Sequence, residues 1–337
     1  LSDWLQDKLE HWTTAVNALA SVAPAYPQAA YTGLQKSLQQ EWQFVQHVTR
    51  DIGPQFTDVA AAISQKFLPA LIGASLEATD PRCALAGLPV KHAGLTLPSP
   101  VATAEWNYKA STLAVSHLFA ALRGRVEFHT SDHQSVILAV RLALTARRNE
   151  QHDQALAVIV SQIPCCDTRR TLLHGKLMGQ WLSVVPSAVN GTELSAEEFR
   201  DSLLLRYART PGNLPVHCDG CGQKFSVRHA LECKTGGLVV SRHNEIRDEL
   251  SDLASRALFP SAVRDEPKIH PSRSTEFEMP PAPPASAVTC NLRTRASLNE
   301  DRGDVLIRGL WARGTDCIID VRITDTDAKS NRSKKQI

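Results

Sequence analysis

One stretch constrains this chain more than any other: C-D-G-C-G-Q-K-F-S-V-R-H-A-L-E-C, from Cys218 to Cys233. It sets Cys218, Cys221, His229 and Cys233 at C-x2-C-x7-H-x3-C spacing. Three thiolates and one imidazole are the donor set of a closed, tetrahedral structural Zn2+ site. Cysteines two residues apart fit a tight knuckle whose backbone amides aim at the sulfurs, and Gly220 and Gly222 supply the turn. His229 and Cys233 stand at i and i+4, so one helical turn brings both to one face. The alternative, scattered reduced cysteines beside a surface histidine, leaves the grouping of four ligand types in so short a run unexplained. A zinc knuckle is therefore expected.

The rest of the chain must pack around or beside that knuckle. Its 337 residues allow more than one domain. We expect a mainly α fold, with a helical N-terminal body, the small knuckle, and then an α/β segment. The divisions expected are 1–79 and 80–215 for the helical body, 216–236 for the knuckle and 237–337 for the remainder. Eight cysteines, three in the knuckle and two adjacent (Cys165, Cys166), do not make a secreted disulfide framework. A reducing compartment, nucleus or cytoplasm, is the expected location, and secretion is not. No apolar run approaches the roughly 18 residues of a membrane span. The chain opens on Leu1 with neither initiator methionine nor secretory signal, as a piece of a longer reading frame or a processed product would. A net charge of +2 says little about partners, so local arginine and lysine clusters matter more.

Apolar spacing predicts the helices. Leu5, Leu9, Trp12, Val16 and Leu19 form one stripe; Tyr31, Leu34, Leu38, Trp42 and Val45 form a second; Phe56, Val59, Ile63 and Phe67 form a third that ends near Pro69. Pro27 suits the first turn of the second helix. The run L-A-G-L-P-V-K-H-A-G-L-T-L-P-S-P, within 80–100, is apolar yet rich in Gly and Pro, which predicts irregular backbone. Helical patterns resume over 101–122, 131–148 and 150–162, with Arg147 and Arg148 closing one of them, where cations suit the helix dipole. Arg169, Arg170 and Lys176 read as a solvated helix face. Ser195 and Glu198 form a capping box ahead of Phe199. No phosphate-cradling glycine loop or nucleophile elbow occurs, so this half carries no catalytic motif of its own.

After the knuckle, Ser241 is a candidate N-cap, and Ile246, Leu250, Leu253 and Ala257 set the expected buried face of a helix. Arg242 and Glu249 border that face, where a polar side chain can enter a cleft; by themselves these two residues favour the plainer account, a snorkelling arginine with a partner carboxylate. Residues 261–292, rich in Pro, Ser and Ala, read as a surface loop. The segments D-V-L-I-R-G-L-W and D-C-I-I-D-V-R-I-T read as two strands of a hairpin centred near Arg313. That pairing brings Asp304 close to Asp320 and Arg322. Two carboxylates on one face suit Mg2+, which keeps several waters, takes a phosphate and activates a water. An exposed hairpin with a salt bridge accounts for the same residues.

The combination C-D-G-C…H-A-L-E-C-K-x-G-G-L-V-x-x-R-H-N, then R-G-D-V and I-D-V-R-I-T-D, resembles the C-terminal part of a non-LTR retrotransposon reverse transcriptase polyprotein. The branch it resembles carries a restriction-like endonuclease. The G-L-P-V-K-H-A-G-L-T-L-P-S-P run, E-W-N-Y-K-A-S at 105–111 and W-L-S-V-V-P-S at 181–187 resemble the same family, so the likeness covers most of the chain. It implies a helical thumb over 1–79, a helical linker over 80–215, a CCHC knuckle and part of a PD-(D/E)xK nuclease that nicks target DNA to prime copying of the element's RNA. Cys218, Cys221, His229 and Cys233 would then hold zinc. Arg242, His243 and Asn244 would contact nucleic acid or support the active site. Asp304 and Asp320 would bind catalytic Mg2+, with Glu249 as the helix acid and Glu245 or Glu266 as rivals.

Two departures stand out. Gly303 occupies the position of the family's proline, and Arg322 that of its lysine; Lys329, Lys334 or Lys335 are candidate substitutes. Arginine grips phosphate but does not easily shuttle a proton. No aromatic-Ala-Asp-Asp run occurs, so these residues do not polymerise nucleic acid. The resemblance thus implies a fragment lying downstream of the polymerase, with DNA and element RNA as partners and little cutting by itself. Two other classes fit the residues: a zinc-dependent nucleic-acid-binding module without catalysis, and a structural or protein-interaction module.

Overall fold

The computed structural model describes residues 2–73, 80–176, 178–235, 238–267 and 302–323. The chain divides into two compact units, Leu1–Gly212 and Asn213–Ile337. Most described residues are helical, and the strands make one small sheet.

The first unit grows from three long helices, α1 (Ser2–Val22), α2 (27–48) and α3 (57–72). Pro27 is the first residue of α2, where its missing N–H costs nothing. All three stripes face inward: Trp12, Val16, Leu34, Trp42, Phe56 and Phe67 are almost wholly buried. Trp12 lies at their junction, stacked on Phe56 at 5.9 Å and edge-on to Trp42 at 6.3 Å. Its indole N–H donates to Glu41 at 3.0 Å, so the polar edge of a buried ring is satisfied. On α1 the buried line moves from Val16 to Ala20, leaving Leu19 half-buried. Pro69 does not end α3, which runs on to Ile72 and stops at a left-handed Gly73. The wide π turn at Ala62–Phe67 immediately before it shifts the hydrogen-bond ladder and makes room for the proline ring.

The Gly- and Pro-rich run is irregular as its composition predicts, apart from the end of a one-turn helix at Arg82–Leu85 and a short turn at Val90–His92. It is nevertheless core. Leu85, Leu88, Leu95 and Leu97 are buried, and Leu95 and Leu97 both donate backbone N–H to Ala86 O. Tyr31 seals it from below with a hydroxyl bond to Leu95 O at 2.8 Å. Arg206, also buried, holds Val90 O and Gly175 O at 2.8 and 2.9 Å.

Beyond it lie α4 (Pro100–Ala114), α5 (Ser116–Leu122), α6 (Thr130–Ser161) and α7 (Cys166–His174). The expected break between 148 and 150 is absent: α6 is one helix of 32 residues. N-E-Q-H-D contains no proline or glycine to end it. Arg147 and Arg148 therefore sit mid-helix, away from any dipole terminus, with their guanidiniums 5.9 and 5.2 Å from the centre of the Trp106 ring. Arg170 and Lys176 pair with Asp167 and Asp153. The last helix of the unit, α8 (Ala196–Arg206), opens with the expected reciprocal box, Glu198 N to Ser195 Oγ and Ser195 N to Glu198 Oε2. One buried cluster runs from Leu5 to Tyr207 through both the 1–79 and 80–215 stretches.

In the second unit a one-turn helix α9 (Val227–Glu232) closes the knuckle and α10 (Leu238–Ala257) follows. The sheet has the order β1 (Val263–Asp265), β2 (Val305–Arg308), β3 (Asp316–Ile319), antiparallel throughout. β1 comes from the first residues of the Pro-rich stretch read as loop; Val263 supplies the apolar side chain that the sheet needs there. The remainder of that stretch, 268–292, lies outside the described residues, as do Lys329, Lys334 and Lys335. On α10, Leu250 and Ala254 pack against Val305 and Ile307, whereas Ile246 and Leu253 are about half exposed. The buried line is thus rotated from the apolar stripe, because the polar residues His243 and Arg247 also face the strand side, as described next. Ser241 is inside the helix and bonds Glu245 at 3.3 Å instead of capping.

Candidate metal centre

The knuckle begins as a short hairpin: His217 bridges Lys224, Phe225 N reaches Val216 O at 3.0 Å, and Cys218 N reaches Gln223 O at 2.9 Å. Gly222 takes the left-handed turn at φ 69° that closes this loop, and donates to Cys218 O. Ser226 then caps α9 by accepting from His229 N at 3.0 Å. Helix α9 carries His229 inward, and Cys233 follows its last residue.

The ligand atoms of Cys218, Cys221, His229 and Cys233 all lie within 4.8 Å of one another. Cys233 Sγ is 3.8 Å from the sulfurs of both Cys218 and Cys221, and Cys221 Sγ is 3.2 Å from His229 Nε2. Zn–S bonds of about 2.3 Å at tetrahedral angles put two sulfurs about 3.8 Å apart, so the sulfur spacing fits zinc. The backbone N–H of Cys221, then the His229 ring and the backbone N–H of Gly220, hold the Cys218 thiol below its ordinary pKa. Such donors favour the thiolate a metal requires. Cys218 and Cys233 are buried, while Cys221 and His229 are half-buried. Among the described residues this is the one group of three or more His, Cys, Asp or Glu side chains gathered closely enough to hold a metal.

The R-H-N residues divide their attention. Arg242 turns toward the knuckle and reaches Leu231 O, on α9, at 3.5 Å. His243 points the other way, with Nε2 3.3 Å from Asp304 Oδ1 and Nδ1 3.5 Å from Asn244 Oδ1. Successive helix positions are about 100° apart, which is what lets adjacent residues serve two neighbours.

Asp304 sits at the start of β2 and is mostly buried. Its backbone N–H extends the ladder to Ile319 O at 3.0 Å, and its carboxylate accepts the N–H of Val321. The register pairs Arg308 with Asp316 and Val305 with Ile319, so the hairpin is centred on Ala312, one residue from the expected Arg313. The paired rungs stop at Val305 and Ile319, so the expected meeting of Asp304 with Asp320 is not among them: Asp304 bonds the residues on either side of Asp320, its N–H to Ile319 O and its carboxylate to Val321 N–H. Asp320 itself is more than half exposed and its carboxylate is held by Arg322 at 2.7 Å. Gly303 has a local reason. A Cβ there would come within 2.2 Å of Ile318 Cγ2, and its N–H donates to Pro267 O, a bond proline could not make.

Glu249 is exposed and about 240° around α10 from His243, so it is not brought to Asp304. Glu245 is likewise exposed. Glu266 is nearer: its N–H donates to Asp304 O at 2.9 Å, and its carboxylate binds Arg247 at 2.8 Å. Sequence reasoning missed Arg247. The i, i+4 spacing from His243 was the available signal, placing both on the sheet side of the helix.

No protein-family model matches this chain, and neither does any curated protein or solved structure. No helix among the described residues is long and apolar enough to cross a membrane.

Proposed function

We propose that the second unit is a zinc-stabilised nucleic-acid-binding module belonging to a retrotransposon-type reverse transcriptase and endonuclease polyprotein, whose parent nicks DNA with Mg2+. The observation that carries this reading is the close succession of a Cys3His set and a helix whose Arg242 reaches the knuckle while its His243 reaches Asp304. Zinc supplies a fixed tetrahedral cross-link and no chemistry of its own. Cys218, Cys221, His229 and Cys233 hold it, and the knuckle then orients α10. Basic residues of that helix and of the knuckle meet phosphate, the part of nucleic acid that dominates affinity.

Cutting belongs to the parent activity. Asp304 is pre-oriented by Val321 N–H and His243, as a metal-binding carboxylate would need. Asp320 is occupied by Arg322, and a phosphate that attracted Arg322 would release it. The second reading, binding without catalysis, is favoured by that same Asp320–Arg322 pair and by Arg322 standing where a proton-transferring lysine is expected.

A plasmid-nicking assay with Mg2+, run beside an anisotropy titration of labelled DNA, tests both. The expected result is zinc-dependent binding with little or no nicking. Mg2+-dependent nicking abolished by Asp304→Ala would replace the binding-only reading with an active nuclease. Affinity unchanged after chelation and after Arg242→Gln would remove the nucleic-acid role of this unit altogether.

A further inference from the structure

The first unit contains a site that the zinc-bearing unit does not explain. Two adjoining cavities of about 550 and 670 Å³ open between α2, α4 and α6. They share a wall made of Gln43, Trp106, Asn107 and Arg148. Asn107 is locked from behind: its side chain donates to Gln46 Oε1 at 2.8 Å, and Gln46 Nε2 in turn donates to Pro100 O at 2.8 Å. The wall that carries Trp106 is therefore rigid.

Four lysine and arginine side chains line the two cavities. Lys109, Arg147 and Arg148 border the first cavity, Arg141 and Arg148 the second, against the carboxylate of Glu105. None of these four cations has an ion-pair partner among the described residues, whereas Arg82, Arg209, Arg247 and Arg308 are all paired with carboxylates. Arg147 and Arg148 are instead held over the Trp106 ring. A guanidinium so placed keeps its N–H edges free for phosphate oxygens. Arg141, Thr145, Arg148 and His152 follow one face of α6 at helical spacing, about 16 Å from end to end at 1.5 Å per residue. Such a row suits an extended polyanion better than a single anion. A tryptophan edge and the amides of Gln43, Gln151 and Asn149 give the same walls surfaces for flat, hydrogen-bonding rings.

We propose that this double cavity binds single-stranded nucleic acid, with Arg141, Arg147, Arg148 and Lys109 on phosphates and Trp106 against a base. The site lies wholly within the first unit and does not depend on the metal centre. The test is anisotropy of a labelled 12-nucleotide single strand with the full chain at several salt concentrations. An Arg147→Gln/Arg148→Gln variant removes two phosphate contacts from an exposed face. It should weaken binding at least tenfold and lower the logarithmic salt slope by about 1.4, at about 0.7 per contact. Trp106→Leu removes both the edge offered to a base and the surface that holds the two guanidiniums, and should weaken binding about fivefold or more. A Cys218→Ser background keeps the two sites apart: the arginine-dependent slope difference should persist there whether or not the zinc unit binds nucleic acid. No binding by the parent chain, an unchanged slope in the double variant with a native far-ultraviolet spectrum, or equal affinity for an acidic peptide of matched charge would overturn the proposal.

Discussion

The two units of this protein are built on different sources of stability. The first buries a continuous apolar interior in which Trp12, Trp42, Phe56, Phe67 and Phe199 are almost fully enclosed. Among its described residues the second encloses little beyond Ala254, Val305 and Ile307, with Leu250, Val263 and Ile319 packed around them. An apolar cluster of that size contributes little by itself, and small domains with such clusters rely on metals or cross-links. Where apolar burial is scarce, four polar ligands in the right places take its role; where it is plentiful, a polar residue such as Arg206 can be enclosed on three carbonyls.

The sharpest way to break the contrast is to remove metal. Structural zinc contributes about 10–16 kcal/mol of apparent binding energy in finger peptides, more than any single apolar side chain. Chelation, or Cys218→Ser, is expected to abolish amide protection over residues 216–235 while leaving that of α1, α2 and α3 unchanged, as hydrogen exchange would report. Loss of protection in both units would show that the first depends on the metal too.

A smaller effect is expected from Trp12→Ala, which leaves a cavity at the meeting point of three helices. The cost should be about 3–5 kcal/mol, seen as a lower denaturation midpoint of the first unit with zinc stoichiometry intact. Less than about 1 kcal/mol would mean that the helices close over the gap more easily than their packing suggests.

The smallest expected effect is a pH slope confined to the first unit. Burial holds His92 below its ordinary pKa, despite Asp153 at 3.4 Å, with Lys91 and Lys176 nearby adding to the depression; His152, its ring 5.4 Å away, is lowered in the same way. The unfolded chain then binds more protons than the folded one below about pH 6.5. Stability is full above that value and falls as the pH drops through it, by at most about 1.4 kcal/mol per pH unit for one histidine. His92→Gln should flatten the melting temperature between pH 7 and pH 5, and an unchanged slope would assign it to other groups.

Much of this architecture was visible in the residues. Stripes at three- and four-residue spacing found the faces of α1, α2 and α3, because only an inward face tolerates Trp and Phe at every turn. The knuckle was visible because thiolate and imidazole ligands within one short run must converge to bind at all. Reading failed where one element's role depended on a distant one. Ile246 and Leu253 look like core and are exposed, because the sheet meets α10 along His243, Arg247 and Leu250. Arg147 and Arg148 look like a helix end and lie mid-helix, where their guanidiniums rest over Trp106, some forty positions earlier in the chain.

Local chemistry alone therefore specified the ligand set, the capping box at Ser195 and Glu198, the amphipathic helices and the turn of the hairpin. Each depends on residues close together in the chain, where backbone geometry fixes what can meet. Only the tertiary structure decided that a Gly- and Pro-rich run is interior, that His243 rather than Glu249 reaches Asp304, and that four cations line two cavities that share an indole. Those outcomes depend on how helices rotate to bury area against distant partners, and spacing along a single chain carries no record of that rotation.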